Sequence, residues 1–291
     1  MTKKILLTTL FFNQKRSPVA QLVEQLTVNQ WVTGSSPVRG AKRYRRIITM
    51  KKIMVSLFLF ISTIGFSAST LVTKTFISKE INTLVYKNGS GDAKIIGTDN
   101  ENLQILAMKN QFHEKCRLTI EKKNHALFIA VDGEGLLNKG GCNVDFDIQV
   151  PKKVSLNLKS GSGNIEINKV QAKLDAKLGS GDLNATLDSC NGLNAKLGSG
   201  NLAIQGLNSD ANVKTGSGNI ELKWARLPEK GAVDIKTGSG TVSLKMPKDS
   251  KISTSFKSGS GQLHNYIGDS PDASFKISVF TGSGNLELNK F

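Results

Sequence analysis

The triplet Gly-Ser-Gly occurs eight times in this 291-residue chain, and from Gly161 onward it returns after 18, 19, 18, 22, 21 and 23 residues. A period of that size marks a repeat architecture, in which each unit buries its apolar face only against its neighbours. The seven corners of the run pair Gly161 with Gly163, Gly179 with Gly181, Gly198 with Gly200, and Gly216 with Gly218. The last three pair Gly238 with Gly240, Gly259 with Gly261, and Gly282 with Gly284; an earlier corner starts at Gly89. Aligned on the first glycine, the units share a code. Five and three residues before it stand Leu156 and Leu158, Leu174 and Ala176, Leu193 and Ala195, or Ala211 and Val213. Four and six after it stand Ile165 and Ile167, Leu183 and Ala185, Leu202 and Ile204, or Ile220 and Leu222. Alternation on both sides of a turn is the pattern of half-buried strands, and a helical period near 3.6 is absent. The glycines are expected to supply positive φ at the turn. The Asn or Asp that follows (Asn164, Asp182, Asn201, Asn219, Asn285) is expected to tolerate left-handed backbone. Stacked in register, such corners would lie ~4.8 Å apart, the ordinary strand spacing. The expected fold is all-β, a solenoid of about 18–23 residues per coil.

The chain divides into four parts. Met50 opens a stretch with basic Lys51 and Lys52, an apolar core over residues 53–66, and small residues at Ser67, Ala68 and Ser69. This is the pattern of a secretory signal peptide over residues 50–69, and the apolar run is shorter than the ~20 residues of a spanning helix. Export to the periplasm, the cell surface or the medium follows as the expected location. Residues 1–49 are then expected to be a spurious extension, because residues 17–42 resemble the peptide read from a mistranslated transfer-RNA gene. Residues 70–150 read as strands and would form an N-terminal β cap, and residues 151–291 the repeat solenoid. The division changes the charge. Of 39 basic and 23 acidic residues, 11 basic and one acidic lie in residues 1–69, so the net charge of +16 falls to +6 over the rest. That balance is only a weak clue to a nucleic-acid partner, which is not the expected one.

Three cysteines remain, Cys116, Cys142 and Cys190. In an oxidising compartment two should pair. Cys116 precedes "RLTIE" and Cys142 precedes "NVDFDIQV", two strand starts, which favours Cys116–Cys142 and leaves Cys190 as a small buried hydrophobe. None has zinc-ligand spacing.

Two residues before each triplet stands Lys87, Lys159, Lys177, Lys196, Lys214, Lys236 or Lys257, with Phe280 as the exception. Because the preceding residue faces inward, these lysines should face outward as one column. Such a column is either a solvated face that discourages sheet aggregation or a dock for an anionic glycan, a lipid headgroup or a nucleic acid. For the protein as a whole the expected partner is an anionic envelope glycan, a lipid headgroup or another envelope protein. Glu166, Glu221 and Glu287, just past the corners, would partly neutralise it. Trp224 and Arg226 lie in a longer segment, "KWARLPEKGA", expected to project as a surface contact.

The recurrent "GSGNIEI", "LGSGDLNATL" and "TGSGNLELN", following "FDIQVPKKVSLNLKSGSG", resemble the putative-adhesin family of bacterial envelope proteins over roughly residues 82–291. The resemblance implies a right-handed β-helix-like fold and an exported location, and it brings no catalytic residues. Thr241, Gln262 and Phe280 depart from the repeated pattern.

Chemistry-bearing motifs are missing from the glycine corners. No triplet continues into Gly-Lys-Ser/Thr as a phosphate-binding loop would, and the dinucleotide fingerprint would need glycine where Ala203 stands. Calcium-binding β-rolls use nine-residue units with an Asp in each, whereas only Asp92 and Asp182 follow a triplet. The alternative reading is a polysaccharide-cleaving enzyme on a β-helix, which needs converging acid and base groups. His113, His125 and His264 fall on separate segments, and Asp145 and Asp147 alternate on one strand face. The expected function is a structural or adhesin-like interaction without catalysis, metal or cofactor.

Overall fold

The alternation around each corner becomes two strands that enclose a common core. The computed structural model describes residues 70–133 and 141–291; the extension and signal peptide assigned to residues 1–49 and 50–69 lie outside them. The first strands are β1 (Thr70–Ile77), β2 (Thr83–Ser90), β3 (Ala93–Thr98), β4 (Asn102–Gln111), β5 (Cys116–Lys123), β6 (Ala126–Gly133) and β7 (Asn143–Pro151). Next come β8 (Lys153–Ser162), β9 (Ile165–Asn168), β10 (Gln171–Ser180), β11 (Leu183–Ser199), β12 (Leu202–Leu207), β13 (Ala211–Ser217) and β14 (Ile220–Trp224). The last are β15 (Gly231–Ser239), β16 (Val242–Met246), β17 (Ile252–Ser260), β18 (Leu263–Asn265), β19 (Phe275–Ser283) and β20 (Leu286–Lys290). A single 3-10 turn, Ser78–Glu80, is the only helical element among the described residues. The chain is an all-β solenoid.

Strands before the corners stack as one parallel ladder and strands after them as a second. In the first, Leu156, Leu174, Leu193, Ala211, Val233 and Ile277 are successive register partners. In the second, Ile165, Leu183, Leu202, Ile220, Val242 and Leu286 are. All twelve side chains are buried and belong to one apolar cluster. The stack also reaches into residues 70–150, the region assigned above to the cap. There β2 pairs in register with β8, and β3 with β9, so residues 83–98 form a true coil around the corner at Gly89.

Coil order departs from chain order at one end. β15 pairs with β19 and β19 with β17, while β16 pairs with β20 and β20 with β18. The last coil in the sequence is therefore inserted, and the coil of β17 and β18 terminates the stack. The two coils differ in inward polarity. The inserted coil presents Phe275, Ile277, Val279, Leu286 and Leu288, all buried. The terminal coil presents Thr254, Ser258 and Asn265 at inward positions, and its Leu263 is exposed. An end coil is covered on one side only, which suits the less apolar of the two. Even so, Thr254 Oγ1 and Ser258 Oγ are buried without a partner there, as Thr281 Oγ1 is in the inserted coil.

At the other end, antiparallel strands stop the parallel stack. β5 pairs with β6 beside the first ladder, and β7, β4 and β1 extend the second. Cys116 at the start of β5 and Cys142 just before β7 form a disulfide with Cα atoms 5.8 Å apart, tying the two ladder ends together. Because the bridge spans 26 residues, it removes substantial freedom from the unfolded chain. Replacing both cysteines by alanine is expected to lower the unfolding free energy by about 3 kcal/mol, read from urea midpoints; an unchanged midpoint would contradict this. Cys190 is buried, and burial raises its thiol pKa above the ordinary range.

The corners themselves correct two expectations about backbone. Only the second glycine of each triplet supplies positive φ. Gly163, Gly181, Gly200, Gly218 and Gly240 have φ of +119°, +116°, +119°, +120° and +113°. Gly261 and Gly284, in the terminal and inserted coils, open to +157° and +156°, nearer to extended backbone. The first glycines, Gly161, Gly179, Gly198, Gly216, Gly238, Gly259 and Gly282, are not among the residues of positive φ.

The polar residue after each triplet is the second correction. No residue at that position has positive φ; among the described non-glycine residues only Asn124 and Lys169 do. Instead, its side-chain oxygen accepts the backbone N–H of its counterpart in the next coil. Asp92 Oδ1 accepts from Asn164 (2.7 Å), Asn164 from Asp182 (2.9 Å), Asp182 from Asn201 (2.7 Å), Asn201 from Asn219 (3.0 Å) and Asn219 from Thr241 (3.0 Å). Asp145 Oδ1 starts the series by accepting from Asp92 (2.8 Å). Each bond satisfies a corner amide that the strand ladders leave unpaired.

Candidate interaction surface

The parity that buries the residue three before each triplet turns the next one outward. Lys87, Lys159, Lys177, Lys196, Lys214 and Lys236 are successive register partners along the first ladder, and all are exposed. Phe280, 56% exposed, follows Lys236, and Lys257 follows Phe280. The exception in the sequence pattern thus interrupts the column, because its coil is the inserted one. Lys87 pairs with Asp132 at 2.5 Å. Among the described residues, Lys159, Lys177, Lys196, Lys214, Lys236 and Lys257 make no ion pair. The expected neutralisation past the corners does not occur by contact. Glu221 pairs with Lys245 at 2.6 Å, and Glu166 accepts a hydrogen bond from Asn168 at 2.6 Å.

Two residues beyond each lysine lies the first glycine of its triplet, exposed at Gly161, Gly179, Gly198, Gly216 and Gly238. These glycines are fixed by the neighbouring coil rather than by φ. A Cβ on Gly198 would stand 2.5 Å from the carbonyl oxygen of Gly179. The second glycine of each triplet answers to both constraints. A Cβ on Gly163 would stand 2.2 Å from the Gly91 oxygen, one on Gly200 2.1 Å from that of Gly181, and one on Gly218 2.1 Å from that of Gly200. Beyond the inserted coil the partners change with the coil order. A Cβ on Gly284 would meet the Gly240 oxygen, and one on Gly261 the Gly284 oxygen, each at 2.1 Å. The result is a strip without side chains beside the lysines.

Trp224 does not project. It is fully buried, its Nε1 donates to the Ser209 carbonyl at 2.9 Å, and its ring meets Phe275 edge-on at 5.9 Å. Its parity with buried Ile220 and Leu222 along β14 was the signal for this; the length of the following segment misled. Arg226, past the end of the strand, is exposed.

The acid and base candidates stay apart. His125 lies by the Glu80 carbonyl, His264 stacks on Tyr266, and His113 Nε2 lies 4.0 Å from Cys142 Sγ, which is in the disulfide. A concavity of about 460 Å³ on the second ladder, lined by Leu71, Leu106, Met108, Asp145 and Asp147 among others, shares no residue with the lysine column. Its Asp145 has both oxygens engaged, Oδ1 by the Asp92 amide and Oδ2 by Asn110 at 2.7 Å.

The sequence profile of the family described as Toastrack DUF4097 matches residues 24–289. The chain belongs to that family. The match begins within the segment set aside above as an extension. No curated protein matches this Toastrack chain. Among solved structures, a putative lipid binding protein from Parabacteroides distasonis is 17% identical, with a TM-score of 0.43, covering 76% of this chain and 97% of that one. A putative cell adhesion protein from Clostridium sporogenes is 14% identical, with a TM-score of 0.39, covering 77% and 100%. A putative adhesin from Bacteroides fragilis is 13% identical, with a TM-score of 0.38, covering 75% and 97%.

Proposed function

We propose that this Toastrack protein is an exported envelope component with a structural, adhesin-like contact role and no catalytic chemistry, and that the lysine column is its contact surface for an anionic partner. The observation that carries the reading is the register: lysines from successive coils stand directly opposite one another and, Lys87 excepted, make no ion pair among the described residues. Like charges placed so are destabilising, and an external anion would relieve them. Export is supported by the signal-like stretch from Met50 and by the Cys116–Cys142 disulfide, since such bonds persist in oxidising compartments. The non-catalytic reading is supported by the scattered histidines and by the engagement of Asp145 in the backbone of the next coil.

The test is recovery of the protein from fractionated cells, followed by binding to arrays of anionic glycans and lipids. Lys159→Gln, Lys177→Gln, Lys196→Gln and Lys214→Gln combined are expected to weaken binding about tenfold or more, the joint worth of four exposed ion pairs. Binding that survives the fourfold change intact, or a protein found only in the cytoplasm, would overturn the reading.

A further inference from the structure

We propose that the lysine column holds a linear acidic polysaccharide with one carboxylate per sugar, laid along the stack axis so that successive carboxylates meet successive lysines. This occupant presupposes the anion-contact reading above and gives it a polymer, a direction and a length. The internal repeats supply the first support. Two residues before the lysine, the outward position carries no fixed charge: it is Val85, then Asn or Asp at Asn157, Asp175, Asn194, Asn212 and Asp234, then Ser255 and Ser278. The lysine position itself changes once in eight units. A charge serving solubility alone could sit at either position, or alternate between them; this one is confined to a single column despite the repulsion.

Geometry supplies the second. Lys159, Lys177, Lys196, Lys214 and Lys236 form an uninterrupted run of register partners without ion pairs among the described residues. Successive strands lie ~4.8 Å apart, a step close to that of one extended pyranose residue. A polymer with one charge per sugar therefore advances along the column by about one lysine per sugar. The exposed glycine strip on one flank lets its backbone approach the sheet, and the exposed Asn157 and Asn212 on the other offer amide donors. Asp175 and Asp234 share that flank; Asn194 holds Asp175 at 2.9 Å. A single-stranded nucleic acid would instead want aromatic platforms for its bases, and the one aromatic in the column is Phe280.

The experiment measures affinity at low salt for oligogalacturonates of increasing length. Each added sugar is expected to tighten binding roughly two- to fivefold, the worth of one exposed ion pair, up to five sugars, with no gain beyond. Phe280→Lys joins Lys236 to Lys257, making a run of seven, so the plateau should move from five sugars to seven. Lys196→Gln splits the run into two pairs and should remove the gain beyond two sugars. Thermal unfolding of both variants checks that the exposed substitutions leave the fold intact. A plateau that stays put in Phe280→Lys, or an affinity indifferent to length, would overturn the axial alignment while leaving an anion contact standing. Tighter binding to anionic phospholipid vesicles or to single-stranded oligonucleotides would replace the polysaccharide by those partners. Binding to none of these anions would overturn the contact reading as well.

Discussion

Gly200→Ala is expected to destabilise the protein by about 4 kcal/mol or to prevent folding, while Gly89→Ala is expected to stay within about 0.5 kcal/mol of wild type. The two glycines belong to the same repeated triplet but meet different surroundings. At Gly200 the backbone has φ +119°, and a methyl group would lie 2.1 Å from the Gly181 carbonyl oxygen. Holding a non-glycine residue in such a conformation costs about 1–3 kcal/mol, and overpacking against a backbone that is itself locked in the ladder adds about 1–3 kcal/mol. The Gly181 carbonyl cannot retreat, because its own coil is packed against the one before. A methyl on Gly89 meets nothing within 4 Å. Urea unfolding of the two variants separates these outcomes. Equal, small losses at both positions would show that the coils can spread, and that the close approach is not a constraint on sequence.

Trp224→Ala is the second large effect, expected at about 4 kcal/mol, within the range for truncating a buried tryptophan. The indole is completely enclosed, contacts Phe275 of the inserted coil edge-on, and satisfies the Ser209 carbonyl. Trp224→Phe keeps much of the packing but leaves that carbonyl without its donor, so a smaller loss of about 1–3 kcal/mol follows. Neither change touches the lysine column, so affinity for anionic glycans should be unaltered in whatever fraction remains folded. Arg226→Ala, at an exposed position, should change stability by no more than about 0.5 kcal/mol. A Trp224→Ala protein of wild-type stability that has lost ligand binding would restore the surface role expected from its segment.

Much of the architecture was legible because its code is periodic. Alternation at fixed distances from each triplet identified Leu174, Val213 or Ile220 as inward and Lys177 or Lys214 as outward, and the structure places them so. Positive φ was legible for the second glycines, such as Gly163 and Gly218, because a tight turn demands it locally. The role of the first glycine was not legible: it depends on the distance between coils, and a single unit of sequence gives no such distance. The Asn and Asp residues are visible as a recurrence, which by itself suggests only a local backbone role. Their reach to the next coil's amide exists only once coils are stacked. Trp224 was legible in principle, since parity from Leu222 puts it inward, but the length of the segment that follows points the other way. The exchange of the last two coils was only half legible. Gln262 and Phe280 were marked as departures, yet the spacing of the triplets contains nothing about which coil neighbours which.

That exchange bears on how the chain can be completed as it is made. The coil synthesised last does not end the stack, so the flank of β15 and β16 has no native neighbour until Leu286 and Leu288 exist. Meanwhile β17, finished earlier, carries the same triplet and the same outward lysine and could occupy the vacant edge in the same register. Its Thr254 and Ser258 would then have to leave that place when Ile277 and Thr281 arrive. Two coils therefore match the same edge in register, and the order of the finished stack differs from the order of synthesis.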